Sequence, residues 1–321
     1  MRAVHQHRYG GSEQLTLVEA PDPVPGPHDV LVSVRAAGVD RGTWHLMAGR
    51  PYAVRLAFGL RRPKHPVPGR DVAGVVTEVG KQVTTVAVGD EVIGTADGSF
   101  AELAVVPEAR VGRKPVALTF EEAATLPVSG LTALQAIRAA GGVRSEDRVL
   151  VIGASGGVGS YAVQVAAAQG AEVTGVASGA KADLVRSLGA TRVIDYTRDD
   201  LDDGTHYDVV LDIAGLRPIR QLRRLLTDTG TLVIVGGEGG DRWLGGTHRQ
   251  LAALALSPFI RQRLTSMLSK ENADDLATLA QLVDDGQLRP ALERTYALHE
   301  AAKAIDHVAS GHARGKVAVI P

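Results

Sequence analysis

Apolar residues fall into two rhythms along the chain. From Leu15 to about Val111 they come in short extended runs, "DVLVSV" at 29–34, "VAGVVTEV" at 72–79 and "DEVIG" at 90–94, separated by Pro and Gly as in "PDPVPGPHD". That pattern predicts a β-rich, irregular first region. Thr119 and Glu122 then make a Ser/Thr-x-x-Glu capping box, and beyond it helices of roughly 10 to 15 residues alternate with buried strands.

The second rhythm reads "RVLVIG", a helix over Val158–Gln169, "AEVTGVA", a helix around Ala182–Leu188, "TRVID", "YDVVLDIA", a helix around Ile219–Leu226, and "GTLVIVGG". Val158, Tyr161, Ala162, Val165 and Gln169 share one helical face, and Gly170 supplies a left-handed stop. Strands that are apolar throughout, joined by amphipathic helices, imply a parallel sheet covered on both faces, so a doubly wound dinucleotide-binding fold is expected here. After "THRQLAALALSPFIRQRL" a further helix carries Leu276, Leu279, Ala280 and Val283 on one side, with Asn272 as its cap. The tail "RTYALHEAAKAIDHVASGHARGKVAVIP" predicts strand, short helix and strand that leave the parallel pattern and return to the first region. The expected fold class is therefore α/β, with a β-rich domain from 1–122 and 270–321 and a dinucleotide-binding domain from 123–269.

Composition narrows the chemistry. Thirty-five basic and 36 acidic side chains leave a net charge of -1, so no global field points to nucleic acid. The absence of cysteine removes disulfides, thiolate zinc sites, iron–sulfur clusters and thiol nucleophiles together. Met1 to Gly10 has no apolar core and no apolar run approaches the roughly 18 residues of a membrane span, so a cytoplasmic chain with no membrane partner is expected.

In "VLVIGASGGVGSYAVQ" the series Ala154-x-Gly156-x-x-Gly159 follows a strand and opens a helix, the setting in which a glycine loop holds a pyrophosphate. Ala154 stands for the first glycine, and Ser155, Gly157 and Val158 complete the loop. About 20 residues on, where an acid would hold the ribose hydroxyls of NAD, the second strand ends in Ala177-Ser178-Gly179-Ala180-Lys181. The missing acid and the nearby lysine predict NADPH, with Ser178 and Lys181 on the 2′-phosphate and Tyr196 closing the pocket; a solvated surface lysine is the alternative.

Five ordered stretches resemble the medium-chain dehydrogenase/reductase superfamily, in its zinc-independent quinone oxidoreductase-like branch: "GVDRGTWHLMAGRP", "VPGRDVAGVVTEVGKQVTTVAVGDEVIG", "GSFAELAVVPEARVGRKPVALTFEEAATLPVSGLTALQAI", the glycine loop with "SLGATRVIDY", and "HARGKVAVIP". The resemblance implies a GroES-like catalytic domain built from both chain ends, a Rossmann domain between them, and a homodimer. Zinc-dependent alcohol dehydrogenases of that superfamily use a Cys, a Gly-His-Glu and a further Cys or acid; the corresponding places here are Asp40, Gly69-Arg70-Asp71 and about Val128. Sulfur- and imidazole-loving zinc is not reconstituted from that set, so no metal is expected. His299, Glu300 and His307 lack the H-E-x-x-H spacing and read as ordinary histidines.

Without a metal, a conjugated quinone or enone is an easier hydride acceptor than a simple ketone, because charge spreads to a distant oxygen that needs only hydrogen bonds and a proton. The resemblance places Asp40 and Thr43 beside the nicotinamide, Thr132 in contact with it, and Tyr52 near a proton-donating tyrosine of some enoyl reductases. Asp40 also has a turn-residue reading, and as a carboxylate where an amide is common it is a candidate for a raised pKa. Further cofactor contacts are expected at Ser129, Ala214, Val235, Gly236, Gly237 and Lys316. Trp44, Phe58, Trp243 and Phe259 could wall an apolar cleft for a small quinone or α,β-unsaturated carbonyl, whereas Arg55, Arg61, Arg62 and Lys64 make a basic loop that reads as solvated. The competing functions are an alcohol dehydrogenase and a non-catalytic NADPH-binding protein.

Overall fold

Strand Asp29–Val39 is the spine of the first unit in the computed structural model, which describes residues 1–237 and 242–321. One edge pairs antiparallel with Asp71–Val79; the other is shared by Leu103–Pro107 near its start and Lys316–Ile320 near its end. Glu91–Thr95 and Val111–Arg113 extend the sheet on one side and Leu292–Ala297 on the other, giving seven strands. Val30, Val32 and Val34 enter one core with Phe100, Leu298, Ile305 and Val319, which the alternation of "DVLVSV" prefigures. Leu292–Ala297 runs parallel to Lys316–Ile320, with helix Ala301–Ala309 between them in sequence, and Lys316–Ile320 pairs antiparallel with Asp29–Val39, so the tail rejoins the first region while its own two strands stay parallel.

The chain divides into Met1–Leu131 with Lys270–Pro321, and Thr132–Ser269. The change falls inside helix Pro127–Ala139, later than residue 122, because Val128 and Ser129 are hydrogen-bonded into the first unit.

The second unit is a six-stranded, wholly parallel sheet in the order Arg192–Asp195, Glu172–Ala177, Arg148–Ile152, Tyr207–Asp212, Leu226–Ile234, Arg263–Ser266. Numbered along the chain this is 3-2-1-4-5-6, the doubly wound dinucleotide-binding arrangement, whose crevice opens at the carboxyl ends of the strands where the order reverses. The helix Ile219–Arg224 is shorter than its periodicity predicts, because Leu226 is already in the sheet beside Tyr207 and only 3% exposed. Arg263–Ser266 escapes the sequence pattern: only Leu264 in it is fully buried. Among the described residues no helix is long and apolar enough to cross a membrane.

Candidate functional site

In the first unit, three distant segments bring polar groups into one buried cluster. Asp71 opens its strand at 0% exposure; its Oδ1 accepts from the Val128 backbone N–H at 2.7 Å and its Oδ2 from Lys316 Nζ at 3.3 Å. Lys316, 1% exposed, also donates to Ser129 Oγ at 3.0 Å. Burial pushes the Asp71 carboxyl up to about 6; Lys316 opposes that shift and the charge of Asp40 adds to it. Gly38 makes the packing possible, since a Cβ there would lie 2.3 Å from Ala124 O and 2.8 Å from Asp71 Cβ.

Asp40 follows Asp29–Val39 and caps helix Arg41–Ala48, accepting from Thr43 N–H at 2.8 Å through Oδ1 and from Thr43 Oγ at 3.1 Å through Oδ2. The turn-residue reading therefore holds locally. Both residues are buried, and Thr43 lines a small pocket with Gln6, Tyr9, Met47, Phe58 and Arg70. Tyr52 does not line it; the guanidinium of Arg55 lies over its ring at 4.6 Å and over that of Tyr9 at 4.4 Å. Arg55 thus leaves the solvated basic loop, while Arg61, Arg62 and Lys64 remain exposed. Trp44 packs on the first unit's core, whereas Trp243 and Phe259 are surface residues, 69% and 83% exposed. His307 is engaged by Glu293 at 2.9 Å.

In the second unit the glycine loop has a different register from the one its spacing suggests. The left-handed turn is at Gly153, with φ +90°, and Ala154 is a fully buried packing residue, so the working series is Gly153-x-x-Gly156-x-x-Gly159. Gly159 is required by the fold itself, because a Cβ there would sit 2.0 Å from Gly153 O. Gly156 is not: its Cβ would meet only Gly153 O, at an ordinary 3.4 Å. Gly156 caps helix Gly157–Ala168 without a side-chain bond, leaving the first N–H groups of a 12-residue helix open to an anion at a point where the backbone stands clear, so the residues fit a dinucleotide pyrophosphate. Ser155 and Val158 lie on the same turn. Ala214, Val235, Gly236 and Gly237 follow the neighbouring strands; Ala214 N is 3.2 Å from the Cβ built at Gly153, and the amides of Val235 and Gly236 both bond Asp212 O at 3.1 Å.

Ser178 and Lys181 border the end of Glu172–Ala177, and Tyr196, 54% exposed, follows the adjacent strand. Sequence reasoning missed Asp195 here. It is aligned with Ala177, its carboxylate would lie 2.5 Å from a Cβ at Gly179, and hydrogen bonds from Thr197 hold it below the usual carboxylate range. Also missed was Asp212, 0% exposed, which accepts from Gly215 N–H at 3.1 Å and pairs with Arg249. An acid closing an otherwise apolar strand, as in "YDVVLD", was the available signal for it.

Ser129 and Thr132 are three residues apart on helix Pro127–Ala139 and so share a face. Lys316, also expected on the cofactor, donates to Asp71 and to Ser129 inside the first unit.

The positions where zinc-dependent relatives carry ligands do not suit the ion. Arg70 brings a positive charge, Val128 has no donor side chain, and the Asp71 carboxylate is committed to Lys316 and a backbone N–H. Among the described residues no group of three or more His, Cys, Asp or Glu could hold a metal.

Two family models match: the alcohol dehydrogenase GroES-like domain over residues 26–116 and the zinc-binding dehydrogenase domain over residues 188–319. A chloroplast envelope quinone oxidoreductase homolog of Arabidopsis thaliana is 31% identical over 100% of this chain and 98% of its own length. The mitochondrial NAD(P)H oxidoreductase RTN4IP1 of Mus musculus is 35% identical over 91% of this chain and 82% of its own. The solved quinone oxidoreductase of Coxiella burnetii superposes with a TM-score of 0.86 at 30% identity, covering 100% of this chain and 99% of that one. The β-rich first unit thus has the expected GroES-like character, and the second the expected Rossmann character.

Proposed function

The chain belongs to the quinone oxidoreductase-like branch of the medium-chain dehydrogenase/reductase superfamily, and on that premise we propose that it is a zinc-independent, NADPH-dependent reductase of quinones or of the activated C=C bond of enones and enals. The observation that carries the reading is the closed Asp71–Lys316–Ser129 group. It fills a place where a metal ion could polarise a simple carbonyl with a hydrogen-bonded, self-neutralised pair. Chemistry suited to such a site puts charge on an oxygen that hydrogen bonds alone can stabilise, as a conjugated acceptor does.

Bound NADPH supplies the hydride. Gly156 with the helix start behind it receives the pyrophosphate, flanked by Ser155, Gly157 and Val158, and Ala214, Val235, Gly236 and Gly237 border the nicotinamide half. Ser178, Lys181 and Tyr196 take the 2′-phosphate. Asp195 beside Gly179 favours a second coenzyme reading, in which its carboxylate accepts from free ribose hydroxyls and NADH is used. Asp40, rigidly held by Thr43, borders the ring together with the hydroxyls of Thr43 and Thr132, and Tyr52 is the proposed proton donor.

The test is oxidation of NADPH and NADH across a panel of quinones, enones, enals and, in reverse, alcohols, with the metal content measured alongside. Quinone or enone turnover in protein without stoichiometric zinc supports the proposal. Zinc-linked alcohol oxidation would overturn it in favour of an alcohol dehydrogenase, and tight NADPH binding with no turnover in favour of a non-catalytic role. Faster turnover with NADH would overturn the phosphate assignment alone. The proposal includes a cytoplasmic homodimer, which fractionation and size-exclusion chromatography address.

A further inference from the structure

The second unit buries an ion pair that has no part in the glycine loop. Asp212 closes strand Tyr207–Asp212 at 0% exposure, in register with Ile152 and Ile234. Its Oδ2 accepts from Nη2 of Arg249, a buried residue in the first turn of helix Thr247–Leu256. Stability does not account for the pair. Apolar side chains of similar volume serve a core at least as well as a buried ion pair. Arg249 leaves Nε and Nη1 buried without partners, and its charge sits at the unfavourable end of the helix dipole.

What the pair does fix is backbone. The Ile213 and Ala214 amides both donate to Ile152 O at 3.1 Å, and those of Val235 and Gly236 to Asp212 O, bonds that any residue at 212 would allow. The carboxylate adds two that need an acceptor there. Its Oδ1 takes the Gly215 N–H at 3.1 Å, where the chain turns left-handed at φ +67°, and its Oδ2 holds the helix. These segments are stacked without slack. A Cβ at Gly236 would lie 1.9 Å from Ile213 O and one at Gly246 2.8 Å from Gly237 O, to which Gly246 N–H donates at 3.0 Å. Ala214 in turn borders the glycine loop, its N 3.2 Å from a Cβ built at Gly153. Asp212 therefore stands behind one continuous wall, from the glycine loop through 213–215 and 235–237 to the start of the helix.

The adenosine side of the crevice lies the other way, toward Gly179 and Asp195 at the ends of the second and third strands. Resting on the functional reading above, we propose that Asp212 and Arg249 are positioning residues for the nicotinamide half of the coenzyme. They hold the 213–215 and 235–237 turns ready for it and touch neither coenzyme nor acceptor. Backbone set in advance binds without an ordering cost, and a ring held in one place transfers hydride faster than one that wanders.

The experiment measures, by titration calorimetry, the Kd of NADPH and of 2′,5′-ADP, which has the adenosine phosphates but no nicotinamide half, for the unaltered chain and for Asp212→Ala, Asp212→Asn and Arg249→Lys. Asp212→Ala is expected to weaken NADPH about tenfold and 2′,5′-ADP less than about twofold. Asp212→Asn, which keeps an acceptor for Gly215 and gives up the charge, should weaken NADPH about threefold with the fragment unmoved. Arg249→Lys, which keeps the charge without the reach of Nη2, should match the asparagine variant, and it carries the test if the Asp212 variants do not fold. A loss shared equally by both ligands means that the pair only supports the fold and overturns the assignment, as does an unmoved NADPH Kd. If NADH proves the tighter coenzyme, the same split is expected between NADH and 5′-AMP. The split in a chain that reduces no quinone or enone supports the positioning role and counts against the acceptor assignment alone. If the unaltered chain binds neither coenzyme, the functional reading itself fails and takes this inference with it.

Discussion

The two units build their sites from opposite materials. The glycine loop of the second unit is backbone and small residues within seven positions, and its usefulness comes from what is missing: a Cβ at Gly156 and a side-chain cap on the helix. The cluster of the first unit is side chains from three segments, with Asp71 and Lys316 separated by 245 positions, and its character comes from groups that satisfy one another. A site made of absences tolerates no added atoms; a site made of pairs tolerates no removed partner.

The largest effect is expected from Gly159→Val, which forces a side chain onto Gly153 O and Ala154 Cα, 2.0 and 2.8 Å away. Urea denaturation should show a loss above about 4 kcal/mol or no folded second unit. Lys316→Met comes next. It strands the Asp71 carboxylate, and the expected loss is about 3–5 kcal/mol, much of it restored by Asp71→Asn in the same chain. A double variant no more stable than Lys316→Met would mean that the pair is not the unit of stability.

The same carboxyl makes a pH prediction. Its pKa in the folded chain, raised to about 6, exceeds the unfolded value near 3.8, so the native state holds the proton more tightly. The stability this contributes is complete below about pH 4 and falls away as pH rises through 6. Asp71→Asn should flatten the stability profile in that window, and an unchanged slope between pH 4 and 6 would contradict the assignment.

Smaller and sharper is Gly156→Ala. Its methyl finds room in the chain, so Tm should hold while NADPH affinity falls about tenfold, some 1.4 kcal/mol. Equal damage to stability would show that the loop serves packing rather than a ligand. The smallest effect is Lys181→Ala, expected to raise the NADPH KM several-fold with kcat intact and NADH kinetics unmoved. A kcat loss without a KM change would remove Lys181 from the phosphate site.

The same contrast explains what could be read in advance. Strand and helix periods gave both layers, and the Thr119–Glu122 box and the Asn272 cap are where their local chemistry puts them. The glycine loop was legible because its constraint spans one turn, although spacing alone could not tell that Gly153 rather than position 154 takes the left-handed turn; that depends on where the strand ends. The burial of Lys316 was not legible, because a lysine near the end of "HARGKVAVIP" carries no local mark of it, and only the pairing of its strand with Asp29–Val39 delivers it to Asp71. Asp195 escaped for the same reason: it reaches Gly179 across a parallel pair of strands rather than along the chain. The raised carboxyl of Asp71 had no local signal either, because its cause is burial that only the assembled sheet produces.

The 245-residue separation of Asp71 from its ammonium partner also fixes an order of events at the ribosome. At about 5–20 residues per second, Asp71 emerges roughly 10–50 s before Lys316 does. The second unit is one unbroken stretch, Thr132–Ser269, and can close within that interval, while the first unit keeps an incomplete sheet edge beside an uncompensated carboxyl until translation delivers its last strand. Nascent-chain aggregation and chaperone demand therefore fall on the half of the molecule that is made first and finished last.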